Sequence, residues 1–455
     1  MNFKNDIVIN LLKKYDEQIY LVGGAVRDFL LGKETFDKDI LVNSAEEFAN
    51  KFANDNGATF IELDKANKIY RVVLKDKINY LDITEPINSS LEDDLNRRDF
   101  TINAIAMDIK TEKLIDLHNG QQHLKDRIIK SICPKNIIDD PLRILRGYRF
   151  SATLGFDIEE ETLEHINANL NLITKPAVER ITYEMMKLFS GEYTATTLKK
   201  MDKIIDLIYP IFLEVKKVPP NTHHHLDLFN HSIETVHQIQ KLYNESDTET
   251  KSHLDKTDFG GFSRLAHLKL AGFFHDIGKF STWTIEEDRH RFMKHESVGS
   301  NLAIEILRKN KFSKKQINYI TEMIKNHIYP SQVISAENVS EKNYMRFIRK
   351  MGDNVIDNII LAKADRLSAR GIAVSKEMVE TNINNLNKML DYYLKIKPEL
   401  KPLPKLLSGA EIMKIKGLNQ SPILGEIINH LKEEQLAGNI STKEEAIDYI
   451  KNYLL

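Results

Sequence analysis

Short runs rich in β-branched and aromatic residues occur only in the first third of the chain. Such runs are typical of β-strands, and they read IYLVG, KDILV, ATFIEL, YRVVL and INYLDI. From about residue 95 onwards, apolar residues recur at spacings of three and four, which indicates one helix after another. The pattern therefore predicts a small α/β unit over roughly the first 135 residues and a long helical body behind it.

Length and composition limit the kind of protein this can be. At 455 residues the chain is too long for one ordinary hydrophobic core, and two proline-containing segments, 216–225 and 397–405, are linker candidates. A hydrophobic content of 42% and a charged content of 29% are typical of a soluble, folded protein. We predict four domains, with these boundaries: 1–135, 136–215, 216–395 and 396–455.

Charge and cysteine content bear on partners and location. The formal net charge of −2 decides nothing about nucleic-acid binding, because basic residues cluster locally, as in LNRRDF and PLRILRGYR. No apolar run is long enough to span a membrane, and the N-terminal segment resembles an amphipathic helix and not a signal peptide. Cys133 is the only cysteine, so no disulfide can form within the chain, and we expect a cytoplasmic protein.

The stretch LVGGAVRDFLLG places two glycines at a predicted junction between a strand and a helix. Without a Cβ, Gly23 and Gly24 would let a phosphate approach backbone N–H groups at the positive end of that helix. Arg27, one turn into the helix, would pair with the same phosphate. For the glycine pair alone, a tight turn that needs a positive φ is the simpler explanation.

Two carboxylates, Asp37 and Asp39, flank a lysine at the start of the predicted strand KDILV. Residues i and i+2 of a strand point to the same face, so these carboxylates repel each other unless a cation lies between them. Mg²⁺ suits the position, because it takes carboxylate oxygens and keeps coordination sites for a triphosphate. A third carboxylate would come from a neighbouring strand, and Asp82 in INYLDIT is the candidate. The alternative for Asp82 is an exposed residue at the end of its strand.

The segment DDLNRRDFTINAIAMD places basic residues next to a predicted helix start. We predict that a helix begins at Arg97, Arg98 and Asp99 and carries Asn103 one turn later. Asp99 would then lie favourably at the positive end of the helix dipole. The functional alternative is that Arg98 binds a phosphate or the edge of a base.

The segment DDPLRILRGYRF predicts a helix with a basic stripe. Asp140 is the expected N-cap, because the proline after it suits the first helical position, and Arg143, Arg146 and Arg149 would share one face. Asp140 only accepts hydrogen bonds and Arg143 only donates them. That pair complements the pairing edge of cytosine or adenine and opposes that of uracil or guanine. The simpler alternative is a solvated face behind a capped helix start.

These four motifs, in this order, resemble the class II tRNA nucleotidyltransferase family. The family comprises CCA-adding enzymes, their CC-adding and A-adding versions, and bacterial poly(A) polymerase. The resemblance covers roughly residues 20–190, including PAVERITYEMMKLF near its end. It implies an α+β fold in which a small mixed-sheet head like that of polymerase β precedes an all-α neck, body and tail.

The resemblance also implies roles for residues of this chain. Asp37 and Asp39 would bind the catalytic Mg²⁺ ions, and Asp82, the candidate from the strand pattern, completes the predicted catalytic set. Only ITEPINSSLED separates Asp82 from Asp94, where full CCA-adding enzymes commonly carry a longer loop, and this favours an enzyme that adds only CC or only A. The predicted nucleotide-binding set is Gly23, Gly24, Arg27, Arg98, Asp99, Asn103, Asp140, Arg143, Arg146 and Arg149.

A second constellation lies in the middle of the chain, on predicted helices. Imidazole and carboxylate groups together suit a transition metal or a Mn or Mg centre with water as the nucleophile. In this order, and with the motif HDIGK, the set resembles the HD phosphohydrolase superfamily. The domain is either an active phosphodiesterase or phosphatase, or a metal-bound or vestigial element that helps to hold tRNA. The predicted ligands are His231, His275, Asp276 and Asp365, with His295 and His327 for a second metal ion.

Together these features predict a template-independent tRNA nucleotidyltransferase that uses CTP and ATP. It would add C, A or both to the tRNA 3′ end with two Mg²⁺ ions, and it would carry a second divalent metal site in an HD domain between neck and tail. The alternative is a metal-dependent hydrolase of nucleotides or RNA ends whose head only binds RNA. A third interpretation is a tRNA-end binding protein with both metal sites silent. The sequence does not specify the oligomeric state.

Overall fold

The computed structural model describes residues 6–287, 289–335, 340–400 and 404–453. The chain forms two compact units, Met1–Tyr209 and Pro210–Leu455. A mixed sheet with helices forms the first unit. Its strands are β1 Ile19–Val22, β2 Asp37–Val42, β3 Thr59–Asp64, β4 Ile69–Val73, β5 Tyr80–Thr84, β6 Ile105–Asp108, β7 Leu114–Asp116, β8 Ile128–Ile129 and β9 Asp157–Ile158.

Seven of these strands form one sheet in the order β3-β4-β5-β2-β1-β6-β7. The pair β2–β5 is parallel, and the other neighbours are antiparallel. Along β2 the side chains alternate between the faces, so Lys38 and Ile40 are buried on one face while Asp37 and Asp39 are open on the other. The predicted strands are therefore confirmed, and the sheet separates a core face from a face with free carboxylates.

Helices of the first unit pack on the core face. Leu12, Phe48 and Phe52 are fully or almost fully buried together with Ile40 and Ile83 of the sheet, and they form the hydrophobic core of the head. The helices of this unit are α1 Ile7–Leu12, α2 Gly24–Leu30, α3 Ala45–Asn56, α4 Leu91–Asn96, α5 Gly120–Asp126, α6 Pro134–Asp139, α7 Leu142–Leu154, α8 Glu160–Ala168, α9 Val178–Phe189, α10 Thr194–Lys200 and α11 Asp202–Ile208.

One predicted helix start is wrong. Helix α4 begins earlier, with Ser90 as its N-cap, and Arg97 stands at its C-terminal end. The buried Phe100 then takes an extended conformation with φ −128° and ψ 151°, and Thr101–Asn103 form a single 3₁₀ turn. Packing of the Phe100 ring in the core outweighs the local helix signal, so the segment Arg97–Asn103 turns between α4 and β6.

The predicted cap of the basic helix is confirmed. Helix α7 is assigned from Leu142, but Pro141 already has helical φ and ψ of −61° and −15°. Asp140 is extended, and its Oδ1 accepts a hydrogen bond from the N–H of Leu142 at 3.3 Å. Asp140 therefore acts as the N-cap, which directs its carboxylate towards the open end of α7.

Helices dominate the second unit, and the sequence pattern missed the short hairpin formed there by strands Trp283–Glu286 and Arg289–Phe292. No helix within the described residues is long and apolar enough to cross a membrane. The elements are α12 Phe212–Val215, α13 Leu228–Glu245, α14 Thr248–Leu254, α15 Arg264–Phe274, α16 Lys279–Thr282, β10 Trp283–Glu286, β11 Arg289–Phe292, α17 His295–Lys309, α18 Lys314–Asn326, α19 Tyr329–Ile334, α20 Glu341–Met351, α21 Val355–Ser368, α22 Lys376–Ile396, α23 Gly409–Lys416, α24 Pro422–Ala437 and α25 Lys443–Asn452.

A buried ionic network joins α14, α15, α18 and α21. Asp357 on α21 is completely buried and accepts hydrogen bonds from Arg264 at 3.1 and 3.0 Å and from the hydroxyl of Tyr319 at 2.6 Å. His253 lies 2.6 Å from the same carboxylate. Because each partner satisfies the buried charge, the network holds α21 against its neighbours and thereby positions Asp365 further along the same helix.

The first predicted linker, 216–225, is held in place by backbone hydrogen bonds. The N–H of Gly371 donates to the carbonyl of His223, and the N–H of Ala373 donates to the carbonyl of Thr222. The segment is therefore part of the second unit and not a free connection. The second predicted linker, 397–405, lies partly outside the described residues, and the four domain boundaries stay a prediction.

Candidate functional site

A cleft of about 930 Å³ in the first unit, the head cleft, opens on the face of the sheet that carries Asp37 and Asp39. It collects side chains from two parts of the chain that lie far apart in sequence, the head strands and helices α7 and α9. All of the predicted head residues except Asp82 line it: Gly23, Gly24, Arg27, Asp37, Asp39, Arg98, Asp99, Asn103, Asp140, Arg143, Arg146 and Arg149.

The parallel pairing of β2 with β5 brings the three predicted carboxylates together. Asp39 is the register partner of Asp82, and oxygens of Asp37, Asp39 and Asp82 all lie within 4.8 Å of one another. Arg71 on β4 holds Asp82 through two hydrogen bonds, from Nε at 2.7 Å and from Nη2 at 2.8 Å. Asp37 and Asp39 therefore face the cleft, whereas Asp82 lies beside them with its orientation set by Arg71.

The environment of these carboxylates fits a divalent cation. Shielding from water raises the pKa of Asp37, and the charge of Asp82 adds to the effect. Although Asp39 remains open to the cleft, the surrounding protein shields it from bulk water, and this shielding together with the charge of Asp37 raises its pKa to about 6. A set of oxygen ligands whose charges repel each other is the donor set that Mg²⁺ prefers.

The raised pKa predicts a pH dependence of metal binding. In the metal-free protein the folded state binds more protons than the unfolded chain between about pH 4 and pH 6, so its stability rises as the pH falls through that window. Mg²⁺ must displace that proton, and we expect its half-saturating concentration to rise about fourfold from pH 7.5 to pH 5.5. The Mg²⁺ titration is followed through the rise in Tm, measured at both pH values for wild type and for Asp39→Asn, and the part of the rise that Asp39→Asn lacks reports binding at Asp39. If that part has the same Mg²⁺ dependence at both pH values, the predicted competition between the proton and Mg²⁺ is refuted.

The glycine pair combines a strained turn with a close approach. Gly23 has a φ of +71°, and a Cβ at this position would lie 2.7 Å from Nη1 of Arg98. Its N–H already donates to the carbonyl of Ile105 at 3.4 Å, so the simpler explanation of a tight turn holds for Gly23. Gly24 begins helix α2 and would meet no such clash. Gly23 alone thus allows Arg98 to lie directly above the backbone.

A chain of hydrogen bonds connects the predicted phosphate contact with the predicted base-reading helix. Arg27 donates to Oδ1 of Asn103 at 2.6 Å, and Asn103 donates to Oδ1 of Asp99 at 2.9 Å. Asp99 in turn accepts from Nε of Arg146 at 2.7 Å. Burial alone would raise the pKa of Asp99, but Arg146 and Asn103 outweigh it and lower the pKa to about 2. Asp99 is therefore a permanently charged residue that positions Arg146 and Asn103.

The buried Asp94 fixes Arg98 and was missed by the sequence analysis as a site residue. Its Oδ2 accepts from Nε and Nη2 of Arg98 at 3.1 and 2.9 Å, and its Oδ1 accepts from Arg97. Asp94 is completely buried, so the pair holds the guanidinium of Arg98 beside Gly23. The signal in the sequence was the spacing of four residues between Asp94 and Arg98, which is typical of an ion pair along a helix, although in the structure Arg98 lies just beyond the end of α4.

Asp140 and Arg143 both line the cleft, but within the described structure their side chains do not pair with each other. Asp140 forms an ion pair with Arg180 of helix α9, from Oδ2 to Nη2 at 3.1 Å. Nη1 of Arg143 donates to the carbonyl of Asn136 at 3.0 Å. The acceptor and the donor that the sequence predicts for base reading are thus held separately, each by its own protein partners.

Helix α9 contributes side chains that the sequence analysis did not assign to the site. Glu184 is buried, and its Oε2 lies 2.8 Å from Nε of Arg149, while its Oε1 lies 3.7 Å from Nη1 of Arg146. Arg180 and Lys187 line the cleft on the same face of the helix. Their spacing of four and three residues opposite an apolar stripe was the available signal.

The second unit gathers all six predicted metal ligands into one group, the HD cluster. Oδ2 of Asp276 lies 3.4 Å from Nε2 of His231 and 3.2 Å from Nε2 of His275. Oδ1 of Asp365 lies 3.1 and 3.5 Å from the same two nitrogens. On the other side, Oδ1 of Asp276 lies 3.3 Å from Nε2 of His295 and 3.6 Å from Nε2 of His327. Asp276 is therefore shared by two sets of ligands.

Backbone carbonyls orient three of the imidazoles. Nδ1–H groups of His275, His295 and His327 donate to carbonyl oxygens at 2.7, 2.8 and 2.7 Å. This leaves each Nε2 lone pair directed at Asp276, which is the arrangement of metal-bound histidines. Within the described structure neither oxygen of the buried Asp276 accepts a hydrogen bond of good geometry, although Oδ2 forms an ion pair with Lys279. The cluster thus fits one or two divalent metal ions.

The elements that carry the HD cluster differ in part from the prediction. His275 and Asp276 do not lie on a helix, because α15 ends at Phe274 and they occupy the turn that follows it. Ending the helix there lets both side chains point into the cluster. Lys279 and His224 were missed: Nζ of Lys279 lies 2.5 Å from Oδ2 of Asp276 and 3.4 Å from Nε2 of His224. Lys279 was visible in the motif HDIGK, whereas His224 was hidden in the presumed linker.

Comparison with known proteins places each region of the chain. Residues 19–130 match the poly A polymerase head domain, residues 155–216 match the probable RNA and SrmB-binding site of polymerase A, and residues 228–370 match the HD domain. The chain is 29% identical to an A-adding tRNA nucleotidyltransferase of Deinococcus radiodurans, with 95% of each chain covered. It is also 29% identical to a CC-adding tRNA nucleotidyltransferase of Thermus thermophilus, with 93% of this chain and 91% of the relative covered.

A solved structure shows the same fold. The complex of a CCA-adding enzyme with CTP matches with a TM-score of 0.56 and 22% identity, covering 99% of this chain and 95% of that one. The order of head, RNA-binding region and HD domain along the chain is the order that the four motifs and the HD constellation predicted. The chain therefore carries a poly A polymerase head domain, a probable RNA-binding region of polymerase A and an HD domain, in that order, and over nearly its whole length it is similar to tRNA nucleotidyltransferases.

Proposed function

We propose that this protein extends the 3′ end of tRNA with C, A or both, using CTP and ATP and no template. The observation that supports the proposal is the composition of the head cleft. The carboxylates of Asp37 and Asp39, which suit Mg²⁺, line the same cavity as Asp140 and Arg143, which suit cytosine and adenine. The similarity to A-adding and CC-adding tRNA nucleotidyltransferases supports the choice of tRNA as substrate.

Asp37 and Asp39 would hold Mg²⁺ at the floor of the cleft, with Asp82 as the flanking carboxylate. Bound there, Mg²⁺ would supply an activated 3′-hydroxyl and neutralise the charge of the leaving pyrophosphate. Arg27 lies on the same cleft wall and offers its guanidinium to the triphosphate. Asp140 accepts from the amino group of the base, and Arg143 donates to the ring nitrogen beside it. Such a site uses side chains in place of a template.

One assay tests this function and also identifies the nucleotides added. Purified protein is incubated with Mg²⁺, with labelled CTP or ATP, and with three tRNAs: one that lacks the whole CCA end, one that ends in the first C, and one that ends in CC. Extension of only the last tRNA by A defines an A-adding enzyme, and extension of only the first two by C defines a CC-adding enzyme. If wild type extends none of the three, the proposed function is wrong.

A second activity is proposed for the HD cluster, namely metal-dependent hydrolysis of a phosphoester. Two observations favour it: imidazoles already oriented for metal binding, and a cavity of about 750 Å³ that reaches the cluster. That volume suffices for a nucleotide or the end of an RNA strand. His295, His327 and Asp365 line the cavity directly, together with Lys279. These residues would hold a metal ion at the cavity wall, and a metal ion held there would supply an activated water as the nucleophile.

We expect Mn²⁺ to raise the Tm of wild type and to support turnover of bis-p-nitrophenyl phosphate. The double variant His275→Ala, Asp276→Ala should lose both effects, because it removes one imidazole and the carboxylate shared by the ligand sets. His290→Ala, which removes an imidazole outside the cluster, should keep both. Hydrolysis that survives in the double variant would exclude the HD cluster as its source, while tRNA extension by the head should continue unchanged.

A further inference from the structure

The lysine between the two cleft carboxylates is one of the largest fully buried side chains in the described structure. Lys38 is only 1% exposed. It lies on β2 between Asp37 and Asp39, but the alternation of the strand turns it to the opposite face, towards the core of the head. A buried ammonium is costly unless its charge is matched, and an apolar residue would satisfy the strand pattern equally well. Its contacts therefore need an explanation.

Two partners hold the ammonium of Lys38. Its Nζ lies 3.1 Å from Oδ2 of Asp6 and donates to the carbonyl of Thr35 at 2.8 Å. Asp6 is the N-cap of α1, and its Oδ1 accepts from the N–H groups of Val8 and Ile9. One carboxylate thus caps a core helix with one oxygen and holds the strand lysine with the other.

The same contacts continue to the cleft. The hydroxyl of Thr35 donates to the carbonyl of Asp37 at 2.8 Å, and Thr35 itself lines the head cleft. Lys38 therefore connects the capped end of α1, the loop before β2 and the first residue of β2. The backbone on both sides of Asp37 is held from behind, while its side chain and that of Asp39 face the open side of the sheet.

We propose that Lys38 and Asp6 are positioning residues for the metal-binding carboxylates of the head. By holding the start of β2 and the Thr35 loop against α1, they keep Asp37 and Asp39 at the separation and orientation that Mg²⁺ needs. The proposal rests on the proposed function, because that function makes these carboxylates metal ligands. Mutation of residues that hold a metal ligand in place typically lowers metal affinity or activity by about 10- to 100-fold.

The direction of the effect separates positioning from simple electrostatics. Lys38→Met keeps the length of the side chain and removes a positive charge near the carboxylates. On charge alone, that change should tighten Mg²⁺ binding. If Lys38 positions the ligands, the half-saturating Mg²⁺ concentration should instead rise about tenfold and kcat should fall about tenfold, with the KM for CTP or ATP changed less than about twofold.

Asp6→Asn is the second variant, since asparagine caps a helix as well as aspartate does but carries no charge to match Lys38. We expect the same direction of change, about threefold in half-saturating Mg²⁺. Lys13→Met is the matched control. Lys13 stands at the other end of α1 and pairs with Glu112, so its loss alters the attachment of the same helix without reaching β2 and should leave the Mg²⁺ requirement unchanged.

Two readouts are compared: Mg²⁺ dependence of tRNA extension, and Mg²⁺ binding by calorimetry with Asp39→Asn as the blank. Wild type that extends no tRNA would refute the proposed function. If wild type is active and Lys38→Met has an unchanged or lower half-saturating Mg²⁺ concentration, the positioning role of Lys38 is refuted and the proposed function stands. If Lys38→Met does not fold, Asp6→Asn decides in the same way, because an unchanged requirement in that folded variant overturns the proposal.

Discussion

Asp39→Asn is expected to reduce nucleotide addition at least about 10³-fold without loss of stability. The substitution preserves size but removes one negative ligand from a group of three, and a metal ion that stabilises the attacking and leaving oxygens contributes several kcal/mol to the transition state. Because the pKa of Asp39 is raised to about 6, its ionised form is unfavourable in the metal-free protein. The variant should therefore melt at the same temperature as wild type or higher.

Single-turnover extension of the tRNA that wild type uses best, followed in saturating Mg²⁺ and nucleotide, measures the loss of Asp39. Asp16→Asn is the matched control, since the side chain of Asp16 is fully exposed and pairs only loosely with Lys110 at 3.6 Å, and it should retain the wild-type rate. If Asp39→Asn and wild type extend tRNA at comparable rates, the head cleft is excluded as the site of metal-dependent nucleotide transfer.

Asp140→Ala should change which nucleotides the enzyme accepts as well as how fast it adds them. Loss of a hydrogen bond to a charged acceptor corresponds to about 1.5–3 kcal/mol, or about 10- to 150-fold in kcat/KM for the nucleotide normally used. Uracil and guanine present an acceptor where cytosine and adenine present the amino donor, so the same change removes the repulsion against UTP and GTP. Competition between CTP or ATP and UTP or GTP, in one reaction, measures the selectivity.

Arg180→Ala distinguishes base reading from simple support of the helix start. Arg180 pairs with Asp140 at 3.1 Å on a partly exposed surface, and such pairs contribute about 0–1 kcal/mol. We expect selectivity for C or A to survive in Arg180→Ala, with kcat/KM lower by less than about fivefold. If Asp140→Ala keeps full selectivity, the choice of nucleotide does not depend on the Asp140 and Arg143 pair, and another wall of the cleft must make it.

Local patterns were sufficient for the parts of the site that lie on one strand or at one helix end. The alternation on β2 placed Asp37 and Asp39 on one face, and the proline after Asp140 marked the start of α7. The position of Asp82 was harder to predict, because Asp82 lies beside Asp39 only if two strands pair in parallel, and the residues alone do not specify that pairing. It was found only because a metal site of this kind needs a further carboxylate from a neighbouring strand.

Other features depend on contacts between segments that lie far apart in sequence. Phe100 enters the core and breaks the helix predicted around Arg98, and Glu184 reaches Arg149 only because α9 packs on α7. His224 lies in a proline-containing segment whose composition is typical of a linker, yet its ring packs 4.6 Å from that of His231. Phe100 packs against Phe150, Glu184 pairs with Arg149, and His224 lies next to Lys279. The two residues of each of these pairs are more than thirty positions apart, beyond the reach of any periodicity along the chain.

The shared carboxylate of the HD cluster has a consequence for how this protein can diverge. Since Asp276 faces two imidazoles through Oδ2 and two others through Oδ1, a single codon change there dismantles both halves of the centre at once. The surrounding helices would remain, because the Asp357 network holds them independently of any metal ion. One substitution can thus remove the HD cluster as a set of metal ligands and keep the domain as a scaffold.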